Sequence, residues 1–327
     1  MRPYVTVIGG INMDIKGCPC GQLMAATSNP GRVHISAGGV GRNIAHNLAL
    51  LDIPVYLLGS IGNDSFGAHL LAEIRQTGVQ VDYVRVREGQ TTGTYLAILD
   101  HDHDLAVAIS DMDVTTSVNH DYLIQHRDLI QHSRIVVLET NLDYDAIQTI
   151  VAFCRQAKIS YVIEPVSVAK AKKIRDLSGS LDMITPNISE LETLAERKLE
   201  NRNDLPTVCA ALRERFRHLL VTLGAEGVYH YNASEQQGQY YTALPTRVLD
   251  ANGAGDAFVA GFVSGIVHEY QIDRCIRLGI AAAHFTLQSV DTVNNELTFE
   301  HCLTLTELTH TPLYPPASGG KRRDALL

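Results

Sequence analysis

Val5-Thr6-Val7-Ile8-Gly9-Gly10 is the stretch on which the fold turns. Strand formers run together without polar alternates and then stop at two glycines. That reads as a strand buried on both faces, ending where backbone comes close to something else. Outward from it the chain alternates: helix-like over 40–52, strand-like over 54–60, helix-like over 66–77, then strand-like near 134–139, 160–164, 182–185 and 218–223 with helical segments between. Such a rhythm predicts βαβ units, hence an α/β fold whose mainly parallel sheet is covered by helices on both faces. Two long helices are predicted after Gly253, over about 254–268 and 273–287. Residues 15–37 are polar and broken by Gly, Ser and Pro, while 91–109 alternate like a hairpin turning at Asp100-His101-Asp102-His103-Asp104. Together they predict a small second sheet covering the main domain as a lid, with 1–14, 38–90 and 110–311 as the core. The Pro, Gly and Ser content of 312–327 predicts a disordered tail.

A chain of 327 residues, 45% hydrophobic and 19% charged, can bury one large core with a small appendage. The formal charge of −9, with no basic stripe, argues against a nucleic-acid partner and for a small-molecule one. Six scattered cysteines imply reduced thiols, and the close pair Cys18 and Cys20 lacks a second Cys/His pair at zinc spacing. Met1 to Tyr4 leads straight into the first strand without an apolar signal region, and no stretch approaches the ~18 apolar residues of a membrane span. The expected location is therefore the cytoplasm. The Asp/His cluster at 101–104 has metal-binding residue types, but at a hairpin tip it reads as a solvated turn.

Ligands of parallel α/β sheets gather beyond the C-terminal strand ends. Here those ends are polar: Asn12 and Asp14, Glu139, Glu164, Asn187 and Thr222. The strongest local signal is Asp250-Ala251-Asn252-Gly253-Ala254-Gly255-Asp256-Ala257-Phe258, a small-residue loop opening into an apolar helix. Free amides at a helix start converge on an anion, and the helix dipole favours negative charge there, so Gly253, Ala254 and Gly255 suit a phosphoryl group. Asp256, in the first turn, could take a hydroxyl proton beside that cradle, or it is simply a helix-start charge. Asn187-Ile188-Ser189-Glu190 suits a water-rich Mg²⁺ shell next to phosphates, or a helix cap. Leu219 to Val228 is a buried strand that turns through Gly224 and Gly227 into another strand, either as a hairpin or where a nucleotide meets bare backbone. Gly38-Gly39-Val40-Gly41-Arg42-Asn43 opens a helix at Ile44, which stands where a dinucleotide fingerprint needs its third glycine; a Walker A pattern is also missing. The expected role of these glycines is to let a polar substrate rest on backbone, with Asn43 hydrogen-bonding in both directions.

These segments together resemble the PfkB carbohydrate kinase family, in the family's order, over residues 4 to about 308. The carriers are Gly9-Gly10-Ile11-Asn12-Met13-Asp14, Gly38 to Asn43, Asn187 with Glu190, and Asp250 with Gly253 to Asp256. The resemblance implies a ribokinase-like three-layer α/β/α sandwich with a β lid, ATP and Mg²⁺ as cofactors, and a homodimer through the lid. It implies that Asn12, Asp14, Gly39 and Asn43 hold ribose hydroxyls beside Glu139, with Asp256 as base. It further implies that Asn187 and Glu190 serve Mg²⁺ and phosphate, and that Thr222, Gly224, Gly227 and Gly255 serve the nucleotide. Asp250 matches a monovalent-cation position of ribokinases, which makes K⁺ a candidate activator, while Ala251 replaces a common Thr. Within the family, the segments Ser28 to Val33, Ser110-Asp111-Met112-Asp113, Glu164-Pro165-Val166-Ser167 with Lys170, and Thr292-Val293-Asn294-Asn295 resemble members that phosphorylate pseudouridine. Glu164 stands there in place of an Asp. Asn29 and Lys170 then become candidate partners of the uracil edge, against Lys170 as a solvated helix residue. Another nucleoside or sugar kinase such as an inosine–guanosine kinase or ribokinase, and a non-catalytic nucleoside sensor, are the competing expectations.

Overall fold

A computed structural model describes residues 2–102 and 104–308. The expected tail at 312–327 lies outside the described residues. The chain runs β1 (Val5–Ile8), β2 (Asn12–Pro19), β3 (Gly31–Gly38), α1 (Val40–Leu50), β4 (Val55–Leu58), β5 (Ser60–Gly62), α2 (Ser65–Gln76), β6 (Arg85–Arg87), β7 (Gly93–Leu99) and β8 (Leu105–Asp111). It continues through α3 (His120–Gln125), α4 (Arg127–Gln131), β9 (Ile135–Glu139), α5 (Tyr144–Ala157), β10 (Tyr161–Glu164), α6 (Val168–Arg175), β11 (Leu181–Ile184), α7 (Ile188–Ala195) and α8 (Leu205–Ala211). The last elements are β12 (Phe216–Thr222), β13 (Val228–Asn232), β14 (Gln237–Tyr241), α9 (Ala254–Val267), α10 (Ile272–Thr286) and α11 (Phe299–Leu308).

Eight strands form one sheet in the order β14-β13-β12-β11-β10-β9-β1-β4, parallel from β12 to β4 and antiparallel at β13 and β14. Period-two alternation sends successive side chains to opposite faces. Ile135 and Val137 of β9 join the core under α1, α9 and α10, whereas Val136 and Leu138 join the core under α5 to α8. Each such side chain contributes roughly 1.5–3 kcal/mol on leaving water. Helix α9 is buried along nearly its whole length, as an all-apolar helix must be, and so it carries its first turn into the interior.

The small sheet has the order β3-β2-β7-β8 and reaches beyond 15–37 and 91–109, from Asn12 to Asp111. Asn12 and Asp14 therefore begin β2 rather than closing β1, because Gly9-Gly10-Ile11 carries the chain out of the large sheet. Register separates its faces: Asn12, Asp14 and Lys16 share one with Gly38, Ser36 and His34, while Met13, Ile15, Val33 and Ile35 share the other with Leu96, Ile98, Val107 and Ile109. The first face meets the anion loop, where the Lys16 ammonium lies 3.2 Å from the Asp250 carboxylate. On the second, Val33 and Ile109 are 69% and 63% exposed. At the β7–β8 tip the Asp100 carboxylate accepts the N–H groups of Asp102 and Asp104, a local turn. None of the helices among the described residues is long and apolar enough to cross a membrane.

Candidate active site

Asp256 sits in the first turn of α9, is 8% exposed, and accepts a hydrogen bond of 2.9 Å from Asn43 Nδ2. Burial pushes its pKa up to about 7; the Asn43 bond works against that, and the charges of Glu139 and Asp14 add to it. A carboxyl with this value alternates between acid and base near neutrality, which is what proton transfer from a hydroxyl requires. Two further carboxyls, Asp14 and Glu139, are near enough for their charges to act on it. Asp14 Oδ1 accepts from Asn12 Nδ2 at 2.6 Å, and burial raises its pKa. Glu139, fully buried and also raised by burial, accepts the backbone N–H groups of Gly10 and Asn141. The β1 and β2 segments thus deliver Asn12 and Asp14, β9 delivers Glu139, and α1 delivers Asn43.

Helix α1 begins at Val40, four residues before Ile44, and the glycines leading into it are packed closely against the chain. A Cβ on Gly39, whose φ is 100°, would lie 2.5 Å from the Gly10 carbonyl oxygen, and one on Gly41 would lie 2.9 Å from the Gly9 backbone. A Cβ on Gly38 would strike the Asp14 carboxyl. The motif therefore lets α1 press onto the Gly9–Gly10 turn and leaves room for Asp14, which is how Asn43 reaches Asp256. The close packing is a structural reason for glycine at 38, 39 and 41, beside the expected role of their backbone toward a substrate.

Beyond Asp256 a cavity of about 190 Å³ is lined by Glu164, Thr185, Asn187, Glu190, Thr222 and Gly255, among others. The strand ends assemble it: Glu164 pairs with Glu139 in the β9–β10 register, and Asn187 bridges Thr222. Asn187 and Glu190 form a complete capping box on α7, with bonds of 3.0 and 2.9 Å. Capping and lining the cavity are thus both true of this pair. Glu164 is raised well above the carboxylate range by burial and then by the Glu190 charge, although the Thr185 hydroxyl donates to it. Glu190 is raised by burial as well. Buried carboxyls crowded in this way, with oxygen donors only, fit a hard divalent cation that shares its shell with water and phosphate.

Gly253 caps α9 in the left-handed region, φ 79°, with the Thr292 carbonyl where a Cβ would stand; no side chain caps the helix start. Of the leading amides, that of Ala254 donates to the Ala251 carbonyl at 3.4 Å, while those of Gly255 and Asp256 have no partner within the helix. Gly255 borders the cavity, while Gly253 and Ala254 shape the turn. Gly224 and Gly227 flank a short 3-10 turn (Gly224–Glu226) outside the cavity; Gly227, φ 102°, is pressed against Tyr241, and Gly224 faces open space. Asp250 accepts both the backbone and side-chain N–H of Asn252 on Oδ1, with Lys16 at Oδ2. The chain's own ammonium already supplies the charge a monovalent cation would bring, so the residues present do not fit K⁺ at that carboxylate. Asn29 caps its own hairpin through Met24 and Thr27 and borders neither this cavity nor Asp256. Its short amide is consumed locally. Lys170 is part-buried, donates to Asn141 Oδ1 and feels Glu139, so it is not a freely solvated helix residue.

The family comparison agrees with this constellation: the model for "pfkB family carbohydrate kinase" matches residues 2–298. The chain belongs to the PfkB family. It is 34% identical over 307 residues, 94% of this chain and 97% of the relative, to pseudouridine kinase of Escherichia coli K12. The uncharacterized sugar kinase YeiI of the same organism is 36% identical over 93% of this chain and 83% of its own. Among solved structures, the Arabidopsis thaliana ribokinase complexed with ribose and ATP superposes with a TM-score of 0.81 at 22% identity, covering 94% of this chain and 99% of that one. The fold is thus the ribokinase-like one, an α/β architecture with a large, mostly parallel sheet and a small separate one.

Some groups of this PfkB site escaped the reading of motifs. Arg42, 3% exposed, donates 3.1 Å to Asn43 Oδ1, and its positive charge helps keep Asp256 and Asp14 ionised. Its signal was a charge inside a glycine-rich helix start. Thr185 and Lys16 had no local signal; only the packing of β10 on β11 and of the small sheet on the loop at 250 brings them in.

Proposed function

We propose that this protein transfers the γ-phosphoryl group of ATP to the ribose 5′-hydroxyl of pseudouridine, giving ADP and pseudouridine 5′-phosphate. The carrying observation is Asp256: a buried carboxyl, poised near neutrality, held by Asn43 at the mouth of an oxygen-lined cavity and in the first turn of a helix. Asn12, Asp14 and Glu139 would orient the sugar hydroxyls, and Asp256 would accept the attacking hydroxyl's proton. The amides of Gly253 to Gly255 would face the charge that develops on the phosphoryl oxygens. Thr222 would contact the nucleotide, with Gly224 and Gly227 shaping the strand-to-strand turn beside it. Mg²⁺, held by Asn187 and Glu190 through water and by Glu164, would neutralise phosphate charge when bound.

The small sheet is read as the lid, its polar face excluding water from the reaction and its apolar face pairing with a second copy. With all six cysteines free, the expected setting is the reducing, ATP-containing cytoplasm. Pseudouridine as acceptor is supported by the E. coli relative and by the segments around 28–33, 110–113, 164–170 and 292–295. Lys170, beside Glu139, would meet the acceptor's base from that side. The test is ADP release from Mg·ATP with pseudouridine, uridine, ribose, inosine and no acceptor at equal concentrations. Marked preference for pseudouridine is expected. Preference for another acceptor discards the substrate, and silence with all of them discards the kinase reading in favour of a sensor.

A further inference from the structure

A second cavity, of about 480 Å³, opens between the first turns of α1, the start of α2, strands β2 and β3 and the loop at 291–295. None of its lining residues is shared with the cavity beside Asp256. Its volume lies in the range of small-molecule sites. Its floor holds His46, 4% exposed, with neither ring nitrogen hydrogen-bonded, and beside it the Nε of Arg42, likewise buried and unpartnered. Native interiors pair such groups, so two of them converging on one cavity ask for a partner. The ring is neutral, since burial and the Arg42 charge hold its pKa down to about 4, and it therefore offers one N–H donor and one acceptor nitrogen.

Glu73 takes the Arg42 guanidinium and lies 3.6 Å from His69 Nε2, while Asp291 adds an exposed carboxylate with no ion pair among the described residues. The wall therefore carries no surplus positive charge to hold an anion, and the unpartnered nitrogens of His46 and Arg42 call for a ligand with adjacent donor and acceptor atoms. Ser36 and Thr292 add hydroxyls, while Met13, Phe66 and Val293 add apolar surface for the face of a ring. We propose that this cavity is a second ligand site for a planar ring amide, a free nucleobase, separate from the acceptor site. Arg42 ties the two together, because the guanidinium in this wall also donates to Asn43, whose amide holds Asp256.

Uracil and hypoxanthine, which have no hydroxyl to phosphorylate, are the probes. Isothermal titration of each into the full-length protein should give saturable binding with at least one base. Affinity should fall at least tenfold in His46→Phe, which fills the floor, and in Ser65→Trp, which blocks the exposed rim without touching the core, and should be unchanged in Asp14→Ala. Three results overturn the proposal: flat titrations with both bases, as for a cavity holding water alone; binding that survives both blocking variants; or loss in Asp14→Ala, which places the base in the acceptor site. Failure of the acceptor panel leaves this titration unaffected.

Discussion

Asp256 carries two opposing demands, to be buried and to be a base, and the rise of its pKa to about 7 records the compromise. Turnover should therefore climb as pH rises through about 7 and level off above it, because the deprotonated carboxylate is the active form. Asn43→Ala removes the hydrogen bond that favours the carboxylate, so the acid limb of the kcat profile should move to higher pH. A limb left in place would separate Asn43 from the base. Asp256→Asn should lower kcat by roughly 10²–10⁴, and near-normal turnover would reject Asp256 as base. The same substitution has a stability sign. A carboxyl raised in the folded state contributes stability at low pH that is lost as pH climbs through its folded value. Asp256→Asn should thus melt higher than the parent at about pH 8.5 and with a smaller difference at about pH 5.5, as followed by calorimetry.

At the scale of elements, the α1 start and the Gly9–Gly10 turn work as one unit, since a missing Cβ is what lets them touch. Gly41→Ala should cost about 1–3 kcal/mol by overpacking and should also lower kcat, because Asn43 moves with the helix. A drop in melting temperature with unchanged kcat would show that α1 can shift without disturbing the base. The Lys16–Asp250 pair joins β2 to the anion loop. Turnover in buffers containing only sodium or only potassium should be the same for the parent protein, and Lys16→Met should introduce a preference. Strong potassium dependence in the parent would overturn the view that the ammonium serves in its place.

The whole molecule gathers acid groups from two strand ends, Glu139 and Glu164, from the start of β2, Asp14, and from the first turn of α9, Asp256, each with its pKa raised by burial. The unliganded protein should lose thermal stability as pH rises from about 4 to about 7, the window set by Asp256, with the other raised carboxyls contributing in the same direction. At this scale too belongs the apolar outer face of the small sheet. With the second copy proposed to pair through this face, a double variant Val107→Glu with Ile109→Glu should lower the mass in light scattering to that of one chain, and an unchanged mass would place any association elsewhere. Both residues are more than half exposed, so the substitutions leave the interior alone.

Parallel α/β architecture was legible because it rests on local periodicity: Val5 to Ile8, Ile135 to Leu138 and the apolar α9 announce buried elements by composition alone. Asp256 as a candidate base was also marked locally, as a carboxyl behind a glycine loop at a helix start, whereas its burial and its bond to Asn43 come from the structure. Strand β14, the short β5–β6 pair and helices α3, α4 and α11 were not anticipated, being brief or weakly patterned and ordered by packing. At Gly38, Gly39 and Gly41 a sequence shows that a Cβ is missing but not that Asp14 and the Gly9–Gly10 turn fill its place. Asn29 is a candidate base contact by its amide and the resemblance of the segment at 28–33, and only the structure shows that this amide also closes its own turn. The sequence by itself determined the alternation of elements and the polar character of the strand ends. Only the tertiary structure decided which of those ends share a cavity, that Arg42 and Lys16 balance their charge, and that His46 is buried without a partner, because electrostatic and hydrogen-bond pairing depend on distances between residues far apart in the chain.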